Sequence, residues 1–159
     1  MDADGRGKMN RFVAMVAVCV FALCANAAEN FYDESADAKA EVKAAVAAAA
    51  NGGRQVLVVF GANWCGDCKL LDIEMKKGEL AKLVGGNYVV VKVDVGKFDR
   101  NADVAASLGV PLKKGIPSIA VLGPDGRPRY TTNGGELADA RSMGEAGLVK
   151  FFRELTAKS

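Results

Sequence analysis

Histidine is absent from all 159 residues of this chain, which removes the usual means of building a structural zinc site from Cys and His ligands. Charge of one sign is lacking too. With 21 basic residues against 19 acidic ones, no field steers the protein toward nucleic acid or acidic lipid. Lys113-Lys114 is a small basic spot that reads as a solvated loop. No internal repeat or low-complexity linker divides the sequence. The apolar run from Phe12 to Cys24 falls short of the roughly 20 residues a membrane helix takes. Cysteine is scarce: Cys19 and Cys24 lie in that run, and Cys65 and Cys68 stand alone further on.

Arg6, Lys8 and Arg11 precede the apolar run and Ala25-Asn26-Ala27 follows it. Basic, apolar and then small residues are the layout of a secretory signal, here cut after Ala27. The expectation is a cleaved signal peptide over residues 1–27 and one domain over residues 28–159. Asp2 and Asp4 suit an export signal poorly, so translation is expected to start at Met9. Leu23 precedes Cys24, where a lipidated cysteine has a small neighbour, so no lipid anchor is expected. The mature chain then keeps only the thiols of Cys65 and Cys68, is nearly neutral, and has no stable membrane insertion.

Those two cysteines sit in Trp64-Cys65-Gly66-Asp67-Cys68-Lys69, between a run that reads as a buried strand and one that reads as a helix. A thiol at a helix's first turn faces unsatisfied N–H groups and the positive end of the backbone dipole, which stabilise the thiolate. A second thiol three positions on lies on the same face and can attack the mixed disulfide that the first one forms. A purely structural bridge is the alternative, but closing so short a loop removes little entropy from the unfolded chain.

Asp37 to Ala50 is alanine-rich with interspersed Lys and Glu, ends at Asn51-Gly52-Gly53, and predicts a helix. Val56 to Phe60 is continuously apolar, as in a strand covered on both faces, and implies a parallel, buried sheet. Lys69 to Lys77 continues as a helix, Tyr88 to Val95 is a β-branched strand, and Asn101 to Leu108 is a further helix. Gly115-Ile116-Pro117-Ser118 leads into the strand Ile119 to Leu122. Pro124-Asp125-Gly126-Arg127 is a turn signal, and Pro128 to Thr132 makes the edge strand of a hairpin. Leu148, Phe151, Phe152 and Leu155 mark one face of a closing helix. The pattern is α/β, ordered helix, strand, helix, strand, helix, strand, strand, helix.

The chain resembles the thioredoxin superfamily, specifically an exported bacterial thioredoxin-like protein, over nearly all of its mature length. The carrying features are Trp64-Cys65-Gly66-Asp67-Cys68-Lys69 after a buried strand and Gly115-Ile116-Pro117 before the hairpin. The resemblance implies a thioredoxin-like fold with a central mixed β-sheet flanked by helices. It implies Cys65 as nucleophile, Cys68 as resolving thiol, and a cis Ile116-Pro117 peptide facing the pair and presenting backbone to an extended substrate. Trp64 would cover the disulfide and contact substrate, and Gly66, Asp67 and Lys92 would modulate the pair. Core filling is the plainer role for Trp64, and strand initiation for Pro117.

Two departures bear on reactivity. The buried acid that the family carries in the strand, six residues before the nucleophile, is replaced by Val59. Cys68 must then give its proton to water, to Lys92 or to a group the sequence does not reveal. The proline between the cysteines is replaced by Asp67, which suits a helix N-terminus but opposes a neighbouring thiolate. This predicts a Cys65 pKa nearer neutral than that of strong oxidants, and a couple on the reducing side. Two insertions, Gly96 to Lys114 and Asn133 to Gly147 with Glu136, Asp139 and Arg141, are expected to flank the active-site edge, the first either shaping a groove or as inert decoration.

The expected function is a periplasmic protein-disulfide oxidoreductase that reduces or exchanges disulfides in protein substrates without an organic or metal cofactor. In an oxidising compartment a reducing protein would draw electrons from a membrane partner. The alternatives are a non-catalytic binding module of the same fold, or a copper-delivery protein for which Met75 is the weak support.

Overall fold

The computed structural model describes residues 30–159; the signal-peptide reading, the Met9 start and the cysteines at 19 and 24 lie outside them. A four-stranded mixed sheet has the order β2-β1-β3-β4. Strand β1 (Gln55–Gly61) pairs parallel with β2 (Tyr88–Asp94) and antiparallel with β3 (Ser118–Leu122), and β3 pairs antiparallel with β4 (Pro128–Thr131) at the edge. The apolar run of β1 therefore reports a strand with neighbours on both sides, only one of which is parallel.

Alternation along β1 sends Val56, Val58 and Phe60 into one core layer and Leu57 and Val59 into the other. The first layer is closed by α1 (Ala38–Gly52) and α4 (Ala102–Ser107), through Ala45, Ala49, Val104 and Ala105. The second is closed by α3 (Gly78–Asn87) and α5 (Ala140–Lys158), through Leu80, Val84, Leu148 and Phe152. Asp37 caps α1 by accepting from the Ala40 N–H at 3.1 Å, and Gly53 ends it in the left-handed region.

Between β1 and β2 the chain makes two helices where the sequence predicts one. Helix α2 (Gly66–Glu74) stops at Met75, and α3 follows after a short turn. Helix α3 contains Gly78, Gly85 and Gly86 and has weak intrinsic propensity. Its burial of Leu80 and Val84 against α5 holds it. The two insertions are also more than decoration. Val104, Val110 and Leu112 of the first, and Leu137 and Ala140 of the second, are core residues. Lys113 and Lys114 are exposed, on a 3-10 turn.

Helix α2 lies across the C-terminal end of β1, with Cys68 in the first core layer and Leu71 and Met75 in the second. Gly61 makes this approach possible. A Cβ there would overlap the Tyr32 phenol and sit 3.0 Å from Cys68 Sγ. Gly61→Ala is expected to destabilise the fold by about 1–3 kcal/mol through overpacking, as read by urea unfolding. Adding Tyr32→Leu to that variant should restore part of the loss.

Candidate active site

The first turn of α2 builds the site. Cys65 is its N-cap residue: the backbone there is extended, and Sγ accepts from the Cys68 N–H at 3.1 Å. This is the sulfur position that a thiolate occupies when a helix terminus stabilises it. Cys65 and Cys68 form a disulfide, with Cα atoms 5.2 Å apart. Cys68 is fully buried and Cys65 is 6% exposed, so the first sulfur has the opening to solvent.

Across from the pair, the Ile116-Pro117 peptide is cis, and the Ile116 carbonyl oxygen lies 3.7 Å from Cys65 Sγ. Trp64 is not a core residue: 58% of it is exposed, its Nε1 donates to the Gly96 carbonyl at 2.7 Å, and its ring meets Phe98 edge-on at 6.0 Å. Phe98 belongs to the first insertion and is held exposed with φ 66°. The insertion thereby contributes a second aromatic ring beside the redox motif.

Behind the pair lies a polar cluster that the sequence reading did not assemble. Asp72, one turn beyond Cys68 on α2, is 2% exposed and is held by Lys92 Nζ at 2.9 Å and Lys76 Nζ at 2.6 Å. Lys92 also lies over the Tyr32 ring at 5.7 Å. Burial, then the charges of Asp72 and Asp94, push the Tyr32 phenol pKa well above its ordinary value. Tyr32 is anchored by the motif itself: its N–H donates to Asn63 Oδ1 at 2.9 Å, and Asn63 Nδ2 donates to its carbonyl at 3.0 Å. The i, i+4 spacing of Cys68 and Asp72 was visible in the sequence; Tyr32 carried no local signal.

Asp67 does not stand as a bare charge beside the sulfurs. Its Oδ1 accepts from the Arg141 N–H at 2.9 Å and from Nε at 3.2 Å, and its Oδ2 pairs with Nη2 at 3.0 Å. Burial alone would raise the Asp67 carboxyl pKa, but the Arg141 side-chain and backbone hydrogen bonds and its charge together hold it below the ordinary value. The carboxylate that the sequence places beside the sulfurs is thus paired with a cation 74 residues further on. Met75, the sulfur a copper site would enlist, packs in the second layer away from the cysteines. Among the described residues no group of three or more His, Cys, Asp or Glu side chains could hold a metal.

A redox-capable dithiol at a helix N-terminus, facing a proline loop at the end of a mixed sheet, is thioredoxin-like architecture equipped for thiol–disulfide oxidoreductase chemistry. A family model described as thioredoxin-like matches residues 37–124, and the chain belongs to that family. It is similar to the crystal structure of a disulphide isomerase from Xylella fastidiosa Temecula1, with a TM-score of 0.76 and 46% identity over 79% of this chain and 95% of that one. It is 33% identical to a thioredoxin of Borreliella burgdorferi over 50% of this chain and 62% of that protein. It is also 37% identical to protein disulfide-isomerase 2-3 of Arabidopsis thaliana, over 59% of this chain and 20% of that protein. The chain thus spans less than two thirds of the length of these two curated relatives.

The lowered pKa of Asp67 gives the site a pH signature. Its pairing stabilises the fold in full above the ordinary aspartate value of about 3.9 and is lost as pH falls below it. In urea unfolding, the stability difference between wild type and Asp67→Asn is expected to stay level from about pH 5 to 8 and to shrink as pH falls below about 3.9.

Proposed function

We propose that this chain is a periplasmic thiol–disulfide oxidoreductase that reduces or exchanges disulfides in protein substrates. The observation that carries the reading is the Cys65–Cys68 pair at the α2 N-terminus, with the Ile116 carbonyl 3.7 Å from the outer sulfur. The Cys65 thiolate attacks one sulfur of a substrate disulfide, forming a mixed disulfide and expelling the other sulfur as a thiolate. Trp64 and the Ile116-Pro117 backbone hold the substrate chain during this step. Cys68 then gives up its proton and attacks Cys65 Sγ. The Cys65–Cys68 disulfide closes, the second substrate thiolate leaves, and two electrons have passed to the substrate. In exchange without net transfer, a substrate thiolate attacks the mixed disulfide before Cys68 does.

Asp72 is the group we assign to receive the Cys68 proton. It stands on α2 where the family has an acid in the strand, at the position Val59 fills, and Lys92 Nζ holds its Oδ1 at 2.9 Å. The Xylella relative described as a disulphide isomerase supports exchange as part of the activity. The basic, apolar and small-residue pattern ending at Ala27 supports export. Net reduction in an oxidising periplasm calls for a supply of electrons, for which a membrane donor is the partner proposed.

In an insulin-reduction assay with dithiothreitol, wild type is expected to outpace Cys65→Ser by a wide margin, and Cys68→Ser should accumulate a trapped mixed disulfide. A wild type no faster than Cys65→Ser would instead leave a binding module. Asp72→Asn is expected to slow turnover at least about tenfold, as loss of a general base does. Mixed disulfide should accumulate, while Cys65 alkylation stays within about twofold of wild type.

A further inference from the structure

The segment from Asn133 to Arg141 runs between the two halves of the site. Glu136 turns it, accepting from the Asn133 and Gly134 N–H groups at 3.0 Å. Leu137 and Ala140 are fully buried and fasten it to the second core layer. On one side it touches the proline loop: Gly115 must lack a side chain because a Cβ there would meet the Ala138 Cβ at 2.6 Å. On the other it reaches the redox motif through Arg141. The guanidinium holds both Asp67 carboxylate oxygens along its Nε–Nη2 edge and lies over Gly66, with Nη1 3.2 Å from where a Cβ of that residue would stand. The contacts thus place a cation on the α2 turn whose N–H points at Cys65 Sγ.

We infer that Arg141 is a positioning residue that sets the acidity of Cys65 and the reduction potential of the Cys65/Cys68 couple by cancelling the charge of Asp67. Two neighbouring units of charge act on the outer sulfur: the Asp67 carboxylate, which opposes a thiolate, and the Arg141 cation, which favours one. The proline loop presents the neutral Ile116 carbonyl to that sulfur. Asp72, Lys92 and Tyr32 lie on the inner, Cys68 side of the helix. With Asp67 paired, the helix terminus acts on the thiolate almost unopposed. A planar fork suits this role better than an ammonium, because it engages both carboxylate oxygens and fixes where the charge sits.

The inference rests on the thiol-exchange reading, yet its readouts need no protein substrate. Iodoacetamide alkylation against pH gives the Cys65 pKa. Equilibration with glutathione, in which the oxidised protein and two glutathione thiols give the reduced protein and one glutathione disulfide, gives the potential. Arg141→Gln leaves Asp67 bare. It should lower the thiolate fraction of Cys65 at pH below its pKa by about three- to tenfold, as an unpaired neighbouring charge does, and shift the glutathione equilibrium toward the protein disulfide. Asp67→Asn leaves Arg141 uncompensated and should move both quantities the opposite way. The double variant should return close to wild type, Arg141→Lys should recover part of the effect, and 1 M salt should shrink the single-variant shifts because Arg141 is largely exposed.

A clip that merely fastens the segment would move both single variants in the same direction, or neither. Either result, in variants whose thermal melts show a folded domain, overturns the inference. An inactive wild type in the insulin assay with opposite pKa shifts intact would fault the proposed function and leave this inference standing.

Discussion

The first turn of α2 is the constraint on which the rest of the site depends. Its N–H groups have no partners within the helix, and Cys65 sits where a Ser or Asp would ordinarily cap. A sulfur used as a cap is also a sulfur whose anion is welcome, so the element that ends β1 is the element that makes the thiol reactive. Burial adds direction. Only Cys65 has a path to solvent, and the inner sulfur faces the Tyr32 phenol and the end of β1. In the proposed reaction, packing sets the order of attack.

Three segments far apart in sequence complete that turn. The N-terminal strap brings Tyr32, held by Asn63. The proline loop brings the Ile116 carbonyl. The second insertion brings Arg141. Each is fastened by buried side chains of its own, so their polar groups are presented without the entropy of ordering a loop at the moment of reaction.

Legibility in the sequence followed the range of the interactions. The strands were readable because β1, β2 and β3 are short apolar or β-branched runs bounded by Gly, Asn or Pro, and α1 because its cap and its glycine stop are local. The dithiol was readable because spacing alone places both sulfurs on one turn. Helix α3 was not, since its glycines argue against a helix that only packing on α5 sustains. The start of α5 was hidden by Gly144, which breaks the helix with a φ of 63° and leaves Arg141 in a separate short turn. Asp67 read as an unopposed charge because its partner is 74 residues away.

The valine in place of the strand acid has a physical consequence. Val59 faces Lys92 across the β1–β2 register and lies in an apolar layer with Leu71 and Ile119. Lys92 is already satisfied from the helix side by Asp72, itself bridged to Lys76. A carboxylate at Val59 would bring a second buried negative charge to the same lysine, and two acids sharing one cation cannot both remain ionised at low cost. An acid on α2 and an apolar residue at Val59 are thus two parts of one solution. The acid sits one turn along α2 from Cys68, and β1 keeps an uninterrupted hydrophobic face in the layer that α5 covers.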